Sequence, residues 1–241
     1  MHIEGGSFSY IGSTREVNQD RIMIGIRTKK NHSFAIAAVC DGVGGSERGE
    51  VASSIVVNGI REWYSSLLSW VEPEKMDGGA VFSHLKDVAE LWNEDVCGYC
   101  RERGIRTATT MSVLLISDQR FYILHVGDSR VYRILDRMEL ITEDEVAERV
   151  IDGRTKQFLD NYVGKSNELK FRQYEGEVRT GDMFVVCSDG FYRRFSSRDG
   201  KELYGECREG SSYNDIAEKW AYEVERRGER DNISLVLLKV G

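Results

Sequence analysis

The chain has 241 residues, a hydrophobic content of 41% and a formal net charge of −7. This length and composition are typical of one soluble, enzyme-sized domain, and the acidic balance argues against bulk electrostatic binding to nucleic acid. No apolar run approaches the roughly 20 residues that cross a bilayer, and the N-terminus lacks the pattern of a signal peptide. Cys40 and Cys187 fall inside apolar segments, which favours buried, reduced thiols and a cytoplasmic location.

Periodicity of the apolar residues predicts eight strands and three helices. In chain order they are strands 21–26 and 34–40, helices 47–68 and 80–102, strands 111–116, 121–126, 131–135, 138–141 and 183–187, helix 212–227, and strand 233–239. Gly104 and Gly228 are predicted to end the second and third helices. Hairpin turns at 117–120 and 136–137 predict antiparallel pairing. Helices grouped between antiparallel strands predict packed α and β layers.

The segment 141–175 is the least regular part of the sequence. Residues 146–152 have a helical pattern, and the segment as a whole is interpreted as an insertion over one face of the fold.

Five short motifs that contain aspartate lie at the ends of predicted strands. They read Asn-Gln-Asp at 18–20, Asp-Gly-Val-Gly-Gly at 41–45, Gly-Asp-Ser-Arg at 127–130, Ser-Asp-Gly at 188–190 and Asp-Asn at 231–232. A carboxylate at the end of a buried strand is costly unless it is paired or binds a cation. Repeated aspartates without His or Cys companions supply oxygen ligands, which suit Mg²⁺ or Mn²⁺ better than Zn²⁺. The pattern therefore predicts a hard-metal cluster built from distant parts of the chain.

Each motif taken alone has a simpler interpretation, because Asp-Gly and Asp-Asn are common in turns. The Gly-rich turn at 41–45 is not a dinucleotide loop, since the third glycine of that pattern would fall at Glu47. Gly164-Lys165-Ser166 resembles the end of a P-loop, but the required upstream glycine would fall at Leu159.

The remaining candidates are interpreted as structural or left open. Cys97 and Cys100 have redox-motif spacing but lie late in a predicted helix, so core packing is favoured. His125 lies in a predicted strand and is taken as structural. Arg15 is either a surface residue or a bidentate donor to phosphate oxygens.

In their order along the chain these motifs resemble the metal-dependent Ser/Thr protein phosphatases, the type 2C family (PPM). The family pattern is an Arg before Asn-x-Asp, then Asp-Gly-x-Gly-Gly, a Gly-Thr-Thr strand start, Gly-Asp-Ser-Arg, Ser-Asp-Gly, and Asp-Asn before the last strand. All six motifs occur in this order over about residues 15–239, the third as Ala108-Thr109-Thr110. Val43 stands where eukaryotic members usually carry His, so the chain is similar to the bacterial branch.

The resemblance implies an α+β fold, a four-layer α-β-β-α sandwich of two antiparallel sheets flanked by helix pairs. It implies one catalytic domain over residues 1–241, with a variable flap at about 141–175. It also implies two Mn²⁺ or Mg²⁺ ions in a cleft at one end of the sandwich. The implied substrates are proteins phosphorylated on Ser or Thr, and the enzyme would oppose a Ser/Thr protein kinase.

The resemblance also implies roles for individual residues. Asp41 would bridge both metals, and Gly42 would supply a backbone carbonyl. Asp189 and Asp231 would hold one metal, and Asp20 would complete the ligand set directly or through water. Arg15 would clamp the substrate phosphate. Asp128 would contribute to a weaker third metal site, but Arg193 stands where many relatives carry the partner aspartate of that site.

The leading hypothesis is hydrolysis by direct attack of a metal-bridging hydroxide on phosphorus. An alternative is a phosphatase-fold binding or regulatory module with impaired catalysis. A third hypothesis keeps the enzyme and narrows its substrate to a phosphorylated regulator of the anti-sigma antagonist kind.

Overall fold

The computed structural model describes residues 1–29, 32–43, 46–70, 77–117, 119–152, 154–165, 169–208 and 211–241. Gly44 and Gly45 of the glycine-rich turn, Asp118 of the first predicted hairpin turn, and Ser166 lie outside the described residues.

The elements follow in chain order. They are β1 (Ile3–Tyr10), β2 (Arg21–Lys29), β3 (His32–Cys40), α1 (Gly49–Trp70), α2 (Gly78–Arg103), β4 (Met111–Ser117), β5 (Arg120–Val126), β6 (Arg130–Ile134), β7 (Met138–Leu140), β8 (Val146–Ile151), β9 (Arg154–Leu159), β10 (Arg172–Glu177), β11 (Met183–Cys187), α3 (Asp189–Tyr192), α4 (Ser197–Glu206), α5 (Tyr213–Arg226) and β12 (Ile233–Val240).

Ten of the strands form two five-stranded antiparallel sheets. The first has the order β1-β12-β11-β6-β7 and the second has the order β10-β5-β4-β3-β2. Strands β8 and β9 pair only with each other within the described part of the chain.

Three apolar layers hold the fold together, as the four-layer prediction requires. Residues of α1 and α2, such as Ile60 and Leu85, pack on one face of the second sheet. Residues of α5, such as Trp220, pack on the outer face of the first sheet. Between the sheets, Ile123 and Phe184 belong to a third cluster of buried residues. The α-β-β-α sandwich is therefore confirmed.

The predicted helices and strands are all present, with ends shifted by a few residues. Gly104 ends α2 as predicted, because it adopts φ +64° and its N–H is donated to the carbonyl of Cys100. Asp77 begins the same helix by accepting hydrogen bonds from the N–H groups of Gly79 and Ala80. Gly228 has φ +92° just beyond the end of α5.

The helical interpretation of 146–152 was wrong. These residues form β8, whose six residues pair with β9 from Val146↔Leu159 to Ile151↔Arg154. The apolar residues at 146, 147, 150 and 151 have helical spacing, but β8 is largely exposed and has no buried stripe. Cross-strand pairing, which the periodicity of a single segment does not reveal, decides the structure here.

Strands β1, β9 and β10 and helices α3 and α4 were not predicted. β1 carries Gly5 and Gly6 and little β-branched content, so its propensity is weak, and its register with β12 specifies it instead. None of the described helices has the length and apolar composition to cross a membrane.

Candidate metal centre

The antiparallel register brings four of the five aspartates to one end of the sandwich. Asp20 precedes β2 and Asp41 follows β3, and these strands pair with Arg21 opposite Cys40. Asp189 follows β11 and Asp231 precedes β12, which are also antiparallel neighbours. The two pairs belong to different sheets, and the hydroxyl of Ser188 joins them by donating to Asp20 Oδ2 at 2.9 Å.

Asp128 completes the group from the turn between β5 and β6. Its carboxylate lines the same cleft as Asp41, Asp189 and Asp231. Gly127 before it has φ +104°, and a Cβ there would lie 2.7 Å from Thr110 Cγ2, so this tight turn requires glycine.

Asp20 is the most deeply buried member of the group, with 1% of its surface exposed. Its Oδ2 accepts from Ser188, but its Oδ1 has no hydrogen-bond partner among the described residues. Burial raises the pKa of Asp20 from 3.8 to about 6. A buried carboxylate oxygen without a donor is expensive, and a cation would satisfy it.

Burial also shifts the pKa values of Asp41, Asp189 and Asp128 toward their protonated forms. Burial, and after it the charges of Asp20 and Asp189, raises the pKa of Asp41 well above 3.8. Burial raises the pKa of Asp189 to about 7, although the nearby Arg193 opposes this shift. Burial and the charge of Asp144 raise the pKa of Asp128 to about 6. Concentrated negative charge of this kind fits hard divalent cations with oxygen ligands.

Two arginines contact these carboxylates. Arg15 Nη2 donates to Asp231 Oδ2 at 2.7 Å. Arg193 Nη2 donates to Asp189 Oδ2, and its Nη1 lies 3.6 Å from Asp231 Oδ2. Within the described ranges, and with these arginine contacts in place, no three His, Cys, Asp or Glu side chains are arranged to hold a metal ion. In the sequence, Arg193 was recognisable only as a departure from the family pattern. Its position one helical turn after Asp189 was the signal that it would enter the cleft.

Asn232 fixes the loop before β2 against the turn that carries Asp231. Its Nδ2 donates to the carbonyls of Ile11 and Val17 at 2.7 and 3.2 Å, and its Oδ1 accepts from the N–H of Gln19 at 2.9 Å. The sequence identified the Asp-Asn motif but gave this amide no role.

The start of β4 holds the turn after β3 through hydrogen bonds to Asp41. The Asp41 N–H donates to Thr110 Oγ1, and the hydroxyl of Thr109 donates to the Asp41 carbonyl, both at 2.9 Å. Gly42 pairs with Thr109, and a Cβ at Gly42 would lie 2.6 Å from the carbonyl carbon of Gly49. With Ala108 in place of the glycine of the family pattern, Thr109 and Thr110 still make these hydrogen bonds to Asp41.

These residues surround a cleft of about 380 Å³. Its lining includes Arg15, Gln19, Asp41, Gly42, Val43, Thr110, Asp128, Asp189, Arg193 and Asp231, together with Gln157, Phe158 and Leu159 of β9. The β9 residues were missed because the segment 141–175 was not resolved into strands from its sequence.

The other candidates lie outside the cleft. His125 is fully buried and bonds Ser112 Oγ at 2.8 Å through Nδ1 and the Glu143 carbonyl at 3.2 Å through Nε2. Burial lowers its pKa, which fits the structural role expected of it. Cys97 and Cys100 are both free thiols.

Known proteins resemble this chain in sequence and in fold. The serine/threonine protein phosphatase PstP of Mycobacterium tuberculosis is 28% identical over 193 residues, which cover 74% of this chain. The chain spans about a third (34%) of the length of that relative. The serine/threonine phosphatase stp of Listeria monocytogenes is 24% identical over 95% of this chain and 92% of its own length.

A solved structure shares the fold over nearly its whole length. It is the catalytic domain of the serine/threonine protein phosphatase PstP in complex with two manganese ions, with a TM-score of 0.76, 22% identity and 99% coverage of both chains. The sequence pattern of protein phosphatase 2C matches residues 12–228. The chain therefore belongs to the protein phosphatase 2C family, in its bacterial branch.

Proposed function

We propose that this protein is a metal-dependent phosphatase that hydrolyses phospho-Ser and phospho-Thr in proteins. The observation that carries the proposal is the convergence of four aspartates on one cleft, with Asp20 buried directly behind it and one Asp20 oxygen without a donor among the described residues. Membership of the protein phosphatase 2C family and the names of the relatives in Mycobacterium and Listeria support the same reaction.

The cofactors we propose are two Mn²⁺ or Mg²⁺ ions. Asp41 would contact both, Gly42 would contribute its carbonyl, Asp189 and Asp231 would hold one of them, and Asp20 would complete the ligands directly or through water. When bound by these residues, such ions would supply positive charge and would lower the pKa of a water, so that hydroxide would be available for direct attack on phosphorus. The two manganese ions of the PstP catalytic domain support this number.

Arg193 argues against a third ion. Its guanidinium contacts Asp189 and lies near Asp231, so it brings a fixed positive charge close to Asp128. We propose that Asp128 therefore stays without a metal partner in this protein.

Arg15 is proposed to bind the substrate phosphate. Its side chain is 43% exposed at the rim of the cleft, and its planar fork suits two phosphate oxygens. Arg15 is hydrogen-bonded to Asp231, which is a proposed metal ligand. The position of the Arg15 side chain relative to the substrate phosphate therefore depends on the position of Asp231. The side chain of Val43 in the cleft has no titratable proton, so the leaving alkoxide would be protonated by water or by another group.

Residues 1–241 are proposed to form a single catalytic domain with a variable flap over about 141–175. The partner would be a Ser/Thr protein kinase whose products this enzyme reverses, and the location would be cytoplasmic. A non-catalytic binding module is not favoured, because each predicted carboxylate lies at the cleft or directly behind it.

The test is hydrolysis of para-nitrophenyl phosphate and of a phosphothreonine peptide, with and without Mn²⁺. Asp41→Asn should lower kcat by at least about 100-fold, because it removes charge from the group shared by both ions. The exposed Asp95→Asn on α2 is the matched control and should keep full activity. Near-normal turnover of Asp41→Asn, with an unchanged circular dichroism spectrum, would contradict the proposed metal-dependent phosphatase function.

A further inference from the structure

A second cavity, of about 630 Å³, opens beside the metal cleft. We call it the side groove. It shares Val43, Phe158 and Leu159 with the cleft, so the two are continuous. A protein segment with its phosphorylated residue in the cleft can therefore extend into the side groove.

Both walls of the side groove are fixed by the protein itself. One wall is the connection from α2 to β4, where Thr107 Oγ1 donates to the Arg48 carbonyl at 2.8 Å. The other wall includes Gly164, whose N–H donates to Asn93 Oδ1 at 2.8 Å. Thr109 and Val163 join the walls through two backbone hydrogen bonds of 3.1 and 2.9 Å. The side groove is thus preformed, which lowers the entropic cost of binding.

The charge of the side groove opposes that of the whole chain. Arg106 on one wall and Lys165 on the other are cationic, and the groove has no carboxylate in its described lining. Lys165 Nζ donates to the Asp160 carbonyl at 2.6 Å, a neutral group that does not compensate the charge of the lysine. No carboxylate of the described residues forms an ion pair with Arg106 or Lys165. In a protein of net charge −7, a cationic groove selects ligands of opposite sign.

We infer that the side groove binds acidic residues of the protein substrate next to its phosphorylated Ser or Thr. The inference rests on the proposed function and narrows its substrate class to phosphorylated sites with Asp or Glu close by in sequence. Arg106 and Lys165 determine specificity through their positive charge. Phe158, which lines both the cleft and the side groove, packs against apolar atoms of the bound peptide.

The test compares two phosphothreonine peptides that differ only in carrying Asp or Lys at the flanking positions. The wild type should show a higher kcat/KM on the Asp peptide, by about 1.5- to 5-fold for each exposed ion pair. The double variant Arg106→Glu/Lys165→Glu should reverse this preference, and the preference of the wild type should shrink at high salt. The control variant Arg61→Glu/Lys201→Glu, with the same change of net charge on α1 and α4, should keep it.

Two further measurements distinguish an error in the inference about the side groove from an error in the proposed phosphatase function. Hydrolysis of para-nitrophenyl phosphate, which is too small to reach the side groove, should be the same in wild type and both double variants. Binding of the same two peptides with a fluorescent label, followed by anisotropy, reports on the groove even without turnover. Equal binding of both peptides, or an unchanged preference in Arg106→Glu/Lys165→Glu, would overturn the inference.

Discussion

Replacing Asp20 by Asn should stabilise the protein in the absence of divalent ions while it impairs catalysis. The folded-state pKa of this carboxyl is raised from 3.8 to about 6, and burial is the largest cause. Relative to its stability below pH 3.8, the folded state is therefore destabilised progressively by this group between pH 3.8 and 6, and the full cost remains above pH 6. At about 1.4 kcal/mol per pKa unit, the cost of ionised Asp20 near neutral pH is about 3 kcal/mol.

The asparagine keeps an oxygen that can accept from the Ser188 hydroxyl, and its NH₂ can donate toward Asp41, so the substitution removes the charge with little change in packing. In EDTA at pH 7.5, the free energy of unfolding of Asp20→Asn should exceed that of the wild type by up to about 3 kcal/mol. Urea titration followed by the fluorescence of buried tryptophans such as Trp220 measures this difference.

Saturating Mn²⁺ should reverse the order, because the wild type binds the ion more tightly and gains more stability from it. At pH 4 without metal the two proteins should differ little, since Asp20 is then protonated in the folded state. An Asp20→Asn protein that is less stable than the wild type in EDTA at pH 7.5 would refute the argument, because Asp20 would then be stabilised by contacts rather than strained by burial. The exposed Asp95→Asn should change stability by less than about 0.5 kcal/mol.

Three other predictions concern the support of the cleft. Asn232→Ala removes hydrogen bonds to two carbonyls and one N–H, and should lower the free energy of unfolding by about 2–4 kcal/mol in urea titration; a change below about 1 kcal/mol would contradict the role given to this amide. Gly190→Ala would place a Cβ 2.0 Å from the Asn232 carbonyl oxygen and should lower the Tm, whereas Gly205→Ala in α4, where a Cβ meets nothing within 4 Å, should be neutral or raise stability by about 0.5–1 kcal/mol. Because the pKa of Asp189 is raised to about 7 and that of Asp20 to about 6, protons compete with metal below neutrality, and the Mn²⁺ affinity measured by calorimetry should fall about tenfold or more between pH 8 and pH 6. A pH-independent affinity would show that these carboxylates are not ligands.

The sandwich could be predicted from the sequence because its central strands have a clear apolar pattern. β3, β4 and β11 are buried along nearly their whole length, so each appears as a short apolar run that ends at a polar motif. The aspartates at those ends identified the cleft, since strand ends of adjacent strands meet in space. Both signals are local, and local signals can be read from one sequence.

What could not be predicted depends on pairing between distant residues. β1 is specified by its partner β12, more than 220 residues away in sequence, and β8 by a hairpin that has no buried face. The contact of Arg193 with Asp189 and Asp231 and the three hydrogen bonds of Asn232 depend on side-chain positions that only the assembled fold defines. The β9 residues line the cleft because of the path that the β8–β9 hairpin takes, and the sequence of β9 contains no periodic pattern that indicates this position.

The position of β12 inside the first sheet, between β1 and β11, governs when the site can exist during protein synthesis. A nascent chain that has not yet released this strand from the ribosome can pair neither β1 nor the inner edge of β11, and it lacks Asp231 at the cleft. Arg15 then has no carboxylate from the distal part of the chain to hold it. Under the proposed function, phosphatase activity should therefore arise only once β12 has inserted into the sheet, so that a translation product that ends before this strand should be inactive.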